Sequence, residues 1–205
     1  KLFLRKESKV KTNPQIAEVD SDVERFRRKK FDSDQSVIHL GGFGCTSLQP
    51  YQNTAFHVLA QIIGGDTNSI FFRELREKRG LGYSVDFDYY SNRLTGIYAA
   101  SVTVDKKREE ETLNLLKSIL ANIKDNGISK EDLEKTKNYI RGQRLMEEES
   151  VISRAQTLSV LEATGFGYEY FQKRDERLKK VTLKSLKDVA AEYFNEENFF
   201  IHVLS

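Results

Sequence analysis

The chain has 205 residues, of which 39% are hydrophobic, enough to bury one sizeable core or two small ones. Its 33 basic and 31 acidic residues nearly cancel, so the overall charge does not indicate a nucleic-acid-binding or anionic-membrane protein. The single cysteine, Cys45, excludes an internal disulfide and a thiolate metal cage, and it slightly favours a reducing compartment such as the cytoplasm.

The start of the chain is polar. We predict a lead-in or interdomain linker over residues 1–20 and a single domain over 21–205. The first methionine is Met146, so we infer a processed product or a piece of a longer polypeptide. The basic tract RFRRKK at 25–30 could bind phosphate, but the solvated face of an edge strand explains it better. No apolar run approaches the roughly 18 to 20 residues that span a bilayer, so we expect a soluble chain.

Two strand-like segments and a helix open the domain. β-branched and aromatic residues predict strands at 23–31 and 36–43. Pro50 is placed to begin a helix, and the glycine pair at 64–65 is placed to end it. The sequence GGFG at 41–44 lacks the spacing and the lysine of a phosphate-binding loop, so we predict a strand-end turn there.

A short helix and a hairpin come next. Residues 69–79 predict a helix that stops at Gly80, which can adopt the left-handed cap conformation. Residues 82–90 alternate between apolar and polar side chains, as in a half-buried strand. The segment 94–104 is its expected hairpin partner.

The remainder is mostly helical. Leucine and isoleucine recur every three or four residues over 105–127, which predicts an amphipathic helix. A capping box formed by Ser129 and Asp132 should begin a helix that runs past residue 146 to the break ATGFG at 163–167. A last helix and a closing apolar strand follow. This order predicts an α+β two-layer sandwich, with a mostly antiparallel sheet and helices mainly on one face.

Metal and nucleophile chemistry find little support in the sequence. None of His39, His57 and His202 has a second histidine three or four residues away, so a helical zinc pair cannot form locally. We expect no metal site in this chain, and His39 and His202 should be satisfied in or near the sheet. A Cys45–His57 nucleophile pair is conceivable, but a lone buried cysteine usually behaves as a small hydrophobe.

Arg76 and Tyr83 are the candidate site residues. Both have ordinary explanations, because a cation suits a helix C-terminus and a tyrosine suits a strand. A glycine turn between them, however, can bring the guanidinium and the phenol toward one edge of the sheet. Two hydrogen-bond donors without a base suit holding a peptide carbonyl, or stabilising an oxyanion that another group generates.

The stretch FFRELREKRGLGYSV at 71–85 resembles the C-terminal, non-metal half of the insulinase and pitrilysin family of zinc metallopeptidases, which includes the mitochondrial processing peptidase. The resemblance extends from about residue 31 to the end of the chain. It implies one of two similar halves that close like a clamshell around a peptide. In that family the metal half carries an inverted His-x-x-Glu-His motif. The other half supplies an Arg and a Tyr, which match Arg76 and Tyr83, near the scissile bond.

The resemblance also explains what the chain lacks. HVLAQ at 57–61 can be laid over the zinc motif as a decayed copy, with Ala60 where the base would be and Gln61 where the second ligand would be. No cofactor is therefore expected in this chain. Zinc is expected on a homologous partner half, either in the same polypeptide or in a separate subunit.

The leading hypothesis is the non-catalytic half of a zinc metalloendopeptidase, which binds an extended peptide substrate and is inactive alone. The alternative is a proteolytically inactive scaffold subunit of the same fold, similar to the core subunits of the mitochondrial cytochrome reductase complex. A second rival is a protein that binds nucleic acid or an anionic surface through the tract at 25–30; the leading hypothesis expects no nucleic acid.

Overall fold

The computed structural model describes residues 23–163 and 166–205, and the linker predicted at 1–20 lies outside them. Within these residues, five strands form one sheet in the order β1-β5-β2-β4-β3. The strands are β1 (Phe26–Lys29), β2 (Gln35–Gly44), β3 (Ser84–Ser91), β4 (Gly96–Asp105) and β5 (Phe200–Leu204). Neighbouring strands are antiparallel, except that β1 runs parallel to β5. The predicted, mostly antiparallel sheet is confirmed.

The helices cover one face of this sheet. They are α1 (Pro50–Gly64), α2 (Glu109–Asn126), α3 (Lys130–Glu149), α4 (Val151–Ala163), α5 (Gly167–Gln172), α6 (Arg174–Lys180) and α7 (Leu183–Tyr193). Helices α1, α2 and α7 contact the strands, while α3 and α6 pack against α1. The α+β sandwich with helices on one face is confirmed. In the part of the chain that the structure describes, none of the helices is long and apolar enough to cross a membrane.

The core forms between the sheet and this helical layer. Along β3 the predicted alternation holds, because Phe87 and Tyr89 are buried whereas Asp86, Asp88 and Tyr90 are exposed. Apolar side chains of β2, β4 and β5 face the same way and meet residues of the covering helices. The largest fully buried side chains include Phe56, Phe71, Phe194, Ile38, Leu40, Leu116 and Leu120. Burying each such side chain contributes about 1.5 to 3 kcal/mol.

The GGFG sequence does not form the predicted strand-end turn. Residues 41–44 lie inside β2 and pair with 96–99 of β4. A Cβ atom on Gly41 would lie 2.2 Å from the carbonyl oxygen of Tyr98. The lack of a side chain at Gly41 therefore lets β2 and β4 approach closely. The prediction of a strand-end turn at 41–44 was wrong.

The long helix predicted after Ser129 is interrupted earlier than expected. Ser129 caps α3, since its Oγ accepts the backbone N–H of Asp132 at 3.0 Å, as predicted. The helix ends at Glu149, because Ser150 has extended backbone angles, and does not continue to 163–167. The Oγ of Ser150 accepts the backbone N–H of Ser153 at 3.3 Å and so begins α4.

Candidate functional site

The stretch 71–85 forms a π-helical segment, a glycine turn and the start of β3. Within the helix predicted at 69–79, Phe72–Glu77 is a π-helix. At its end the Lys78 N–H donates to the Arg73 carbonyl at 3.1 Å, five residues earlier in the chain instead of the four of an α-helix. Such wide turns are rare and occur frequently at functional sites.

The turn that follows depends on two glycines. Gly80 has φ +59° and Gly82 has φ +83°, both in the left-handed region that side chains disfavour. Between them, the fully buried Leu81 anchors the turn in the core. The left-handed conformation considered for Gly80 is confirmed. The turn fixes where the π-helical segment ends and where β3 begins.

Arg76 differs from the other basic residues around it. Arg73 pairs with Asp132, and both Lys78 and Arg79 pair with Glu74. The exposed Arg76 guanidinium lies 5.4 Å from the centroid of the Phe72 ring. Among the described residues it has no carboxylate partner. Its hydrogen-bonding capacity is therefore available to a ligand.

Tyr83 stands at the start of the edge strand. Its backbone N–H donates to the Thr103 carbonyl at 2.8 Å, which fixes the main chain, while its side chain is 65% exposed. Within the described part of the chain, its phenol oxygen has no hydrogen-bond partner. Neither Tyr83 nor Arg76 is sealed in the core. Within that part of the structure no hydrogen bond or cation–π pair joins the two side chains, so their convergence on one ligand stays a prediction.

The strand beside Tyr83 offers a free edge. Among the residues that the structure describes, β3 is the last strand of the sheet and pairs on one side only, with β4. Asp86 and Asp88 are exposed on the face of β3 that the helices leave open. Ser84 Oγ donates to Asp86 Oδ2 at 2.7 Å. The edge thus combines unpaired main-chain groups with negative charge.

The decayed motif on α1 has no metal-ligand geometry. Ala60 is buried, Gln61 is half-buried, and His57 contacts the edge of the Tyr89 ring at 4.7 Å between centroids. Within residues 23–163 and 166–205, no group of three or more His, Cys, Asp or Glu side chains is arranged to hold a metal ion. Residues 57–61 therefore do not fit the zinc of the related metal half.

His57 is uncharged at neutral pH. By accessible area His57 is an exposed residue, and it stands at the rim of a cavity between α1 and the helices α3–α6, whose side chains reduce the hydration of its ring. This partial desolvation, helped by the charge of Arg144, lowers the pKa of His57 to about 4. The imidazole is thus a neutral wall of the cavity.

We expect His57→Gln to make the protein less sensitive to acid. The unfolded chain protonates His57 near its ordinary pKa of 6.5, before the folded chain does, so stability falls as the pH drops from 6.5 towards about 4. Melting temperatures of both proteins at about pH 7 and about pH 4.5 would measure this. The melting temperature of the wild type should fall more between these two pH values than that of His57→Gln. Equal drops would mean that solvent in the cavity keeps the imidazole hydrated.

Cys45 is a structural residue. It is buried, and its Sγ lies 3.1 Å from the Tyr89 phenol oxygen. Burial raises the pKa of the Cys45 thiol, so the thiolate needed for nucleophilic attack is disfavoured. Tyr89 donates its phenol proton to the Cys45 carbonyl at 2.7 Å or to Asn53 Oδ1 at 2.9 Å. The structure therefore supports the small-hydrophobe interpretation of Cys45.

The other two histidines lie in the sheet, as predicted. His39 and His202 are directly opposite each other on β2 and β5, and His39 Nδ1 lies 2.9 Å from Ser101 Oγ. Both occupy the face that the helices do not cover, whereas His57 is on α1 on the other side. The three histidines therefore do not converge.

The basic tract lies on an edge strand. All four residues of β1 are exposed, as the solvated-edge interpretation predicts. Arg28 pairs with Glu109, and Arg25 lies 5.0 Å from the centroid of the Phe200 ring. Part of this basic charge is thus engaged within the chain.

Sequence reasoning missed a second cluster of cations. Arg144, Arg174 and Arg177 line the cavity next to His57. The pair at 174 and 177 follows the aromatic residues Tyr170 and Phe171 at helical spacing. That pattern was a usable signal, because guanidinium groups that stack on rings can be buried.

The family model that matches this chain is the peptidase M16 inactive domain, over residues 2–140. A Bacillus subtilis protein called uncharacterized zinc protease YmxG is 26% identical over 180 residues, covering 85% of this chain and 42% of that protein. A Helicobacter pylori protein called non-peptidase homolog YmxG is 21% identical over 159 residues, covering 77% of this chain and 36% of that protein. The chain thus spans less than half the length of these relatives.

Solved structures share the fold. A peptidase M16 inactive domain from Pseudomonas fluorescens superposes with a TM-score of 0.80 at 21% identity, covering 87% of this chain and 43% of that chain. A Helicobacter pylori protease superposes with a TM-score of 0.81 at 16% identity, covering 88% of this chain and 43% of that chain. The inactive peptidase domain of a Bordetella parapertussis protein superposes with a TM-score of 0.73 at 14% identity, covering 82% of this chain and 91% of that chain.

Proposed function

Because the chain belongs to the peptidase M16 inactive domain family, we propose that it acts as the non-catalytic half of a zinc metallopeptidase. It binds an extended peptide at the free edge of β3. It presents Arg76 and Tyr83 to the bond that is cleaved. Zinc and the catalytic base belong to a homologous partner half, because residues 57–61 of this chain do not fit a metal site.

The observation that carries the proposal is that two strong donors near the sheet edge have no partner of their own in the described residues. Arg76 lacks a carboxylate where its basic neighbours each have one, and Tyr83 holds its phenol in solvent. In a closed clamshell both groups would be removed from bulk water. Donors held ready for a developing oxyanion are worth more in such a site than in water.

The edge of β3 supports binding of an extended peptide. A peptide that adds a strand gains main-chain hydrogen bonds regardless of its sequence. Its alternate side chains would lie beside Asp86 and Asp88 on the open face of the sheet. Opposite charges on adjacent strands stabilise pairing, so lysine or arginine at alternate positions should be preferred.

A scaffold function is the second candidate. It is favoured by the name of the Helicobacter pylori relative, a non-peptidase homolog, whereas the Bacillus subtilis relative is called an uncharacterized zinc protease. A scaffold would keep the fold without needing unpaired donors. The exposed and uncompensated Arg76 and Tyr83 therefore favour the peptidase half.

The test is to mix the chain with a homologous half that carries a His-x-x-Glu-His motif. We expect the mixture to hydrolyse a peptide with two lysines at alternate positions, and neither half alone to do so. The same peptide with glutamates in place of the lysines should be cleaved more slowly, because the negative charges of Asp86 and Asp88 would repel the glutamates. If the two halves form a stable complex that remains inactive, the scaffold function replaces the peptidase half.

A further inference from the structure

A cavity of about 430 Å³ lies between α1 and the helices α3–α6. Its lining includes none of the residues 71–85, so it is separate from the candidate peptide site. The volume falls within the roughly 300 to 1,000 Å³ of small-molecule sites. The exposed residues Glu147, Arg154 and Thr157 are part of its lining and connect it with solvent.

Arg177 is the unusual group in this cavity. It is only 6% exposed, and its Nε has no hydrogen-bond partner in the structure. One of its Nη atoms donates to the Tyr170 carbonyl at 2.7 Å. Within the described residues it has no ion pair, whereas Arg144 pairs with Asp175 and Arg174 pairs with Glu148. A buried guanidinium without a counter-charge is costly unless something compensates it.

The other arginines increase the need for a negative charge. Arg144 lies close enough to act on both Arg174 and Arg177, and burial together with this repulsion lowers the pKa of each guanidinium. Both remain charged, because an arginine does not lose its proton at neutral pH. The cavity lining holds four arginines and two glutamates; with Asp175, which pairs with Arg144 from outside the lining, one positive charge remains in excess.

Aromatic side chains fix the planes of two guanidinium groups. The Arg177 carbon Cζ lies 3.9 Å from the Tyr170 ring centroid, and that of Arg174 lies 3.5 Å from the Phe171 ring centroid. A planar guanidinium held in this way is pre-organised for paired hydrogen bonds to a carboxylate or a phosphate. The neutral His57 beside it adds no competing charge.

We propose that this cavity binds a small molecule through an anionic oxygen group, a carboxylate or a phosphate, which Arg177 holds with Arg144 and Arg174 alongside. The ligand is an anion and not a metal cation, because three guanidinium groups repel a cation and the motif remnant His57 and Gln61 supplies too few ligands. Glu147 and Glu148 also line the cavity and oppose an anion, although Glu148 is already engaged by Arg174.

Isothermal titration calorimetry of the chain with inorganic phosphate and, separately, with citrate tests the proposal at an ionic strength held constant with sodium chloride. We expect saturable binding of at least one of the two, and the comparison identifies a phosphate or a carboxylate as the preferred group. Arg177→Met should weaken that binding about tenfold or more, because it removes a buried charged donor. The control Arg27→Gln, on the distant edge strand β1, should bind like the wild type.

A second variant keeps the test independent of folding. Glu147→Gln removes a negative charge from the exposed rim and should tighten anion binding about two- to fivefold, even if Arg177→Met does not fold. Four results would overturn the proposal. They are the absence of saturable heat from both anions, wild-type affinity in a folded Arg177→Met variant, an unchanged affinity in Glu147→Gln, and loss of binding in Arg27→Gln instead, which would assign the anion to the basic tract.

Discussion

Mixed with a zinc-bearing half, the Tyr83→Phe chain should hydrolyse peptide roughly 100 to 1,000 times more slowly than the wild-type chain. In the proposed function the phenol donates a hydrogen bond to the oxyanion that develops at the cleaved carbonyl. Losing one such donor raises the barrier by about 2.7 to 4 kcal/mol. The loss should fall on kcat, because the bond is stronger in the transition state than with bound substrate. Initial rates over a range of peptide concentrations would separate kcat from KM.

A matched control is available on the same strand. Tyr90 and Tyr83 are both 65% exposed, but Tyr90 lies at the opposite end of β3. Tyr90→Phe should leave turnover within about twofold of the wild type, and neither variant should change stability by more than about 0.5 kcal/mol. Equal rates for Tyr83→Phe and the wild type would remove the oxyanion role of Tyr83. Equal losses in both variants would indicate a general effect on the strand.

Much of the fold follows from local sequence patterns. The two-residue alternation of 82–90 and the proline and glycines that bound α1 are local signals, and both elements form where they predict. Ser150 was missed because a serine inside a polar helical pattern gives little sign that it ends one helix and caps the next. The GGFG glycines were misassigned because the constraint on Gly41 comes from Tyr98, on another strand.

The candidate site was only partly predictable for the same reason. The motif located Arg76 and Tyr83, but the π-helical segment depends on hydrogen-bond partners that side-chain spacing does not specify. The aromatic residues at 170 and 171 indicate that the Arg177 guanidinium can stack on a ring, but they do not indicate which helix buries it. Its burial results from packing of α6 against α1, which is more than a hundred residues earlier in the chain. Contacts over such separations cannot be deduced from a single sequence.

Phe56→Ala should cost about 3 to 5 kcal/mol of unfolding free energy, the largest stability effect we expect from one substitution. Phe56 is fully buried and stacks on Tyr89 of β3, with ring centroids 4.0 Å apart and planes 3° from parallel. It also contacts the edge of the Phe194 ring at 6.0 Å, which joins α1 to the end of α7. Urea denaturation monitored by circular dichroism would measure the loss. The control Phe31→Ala, at a residue 62% exposed, should change stability by less than about 0.5 kcal/mol.

This substitution tests the framework on which both proposed sites depend. The Phe56–Tyr89 stack connects α1, which carries His57 in the wall of the anion cavity, with β3, which begins beside Tyr83. A domain of this size has only about 5 to 15 kcal/mol of stability, so losing roughly a fifth of it or more should loosen the edge strand and the cavity together. A loss below about 1 kcal/mol would mean that α1 and β3 do not pack through this stack. Other residues of the core would then have to connect the free edge of β3 with the arginine-lined cavity.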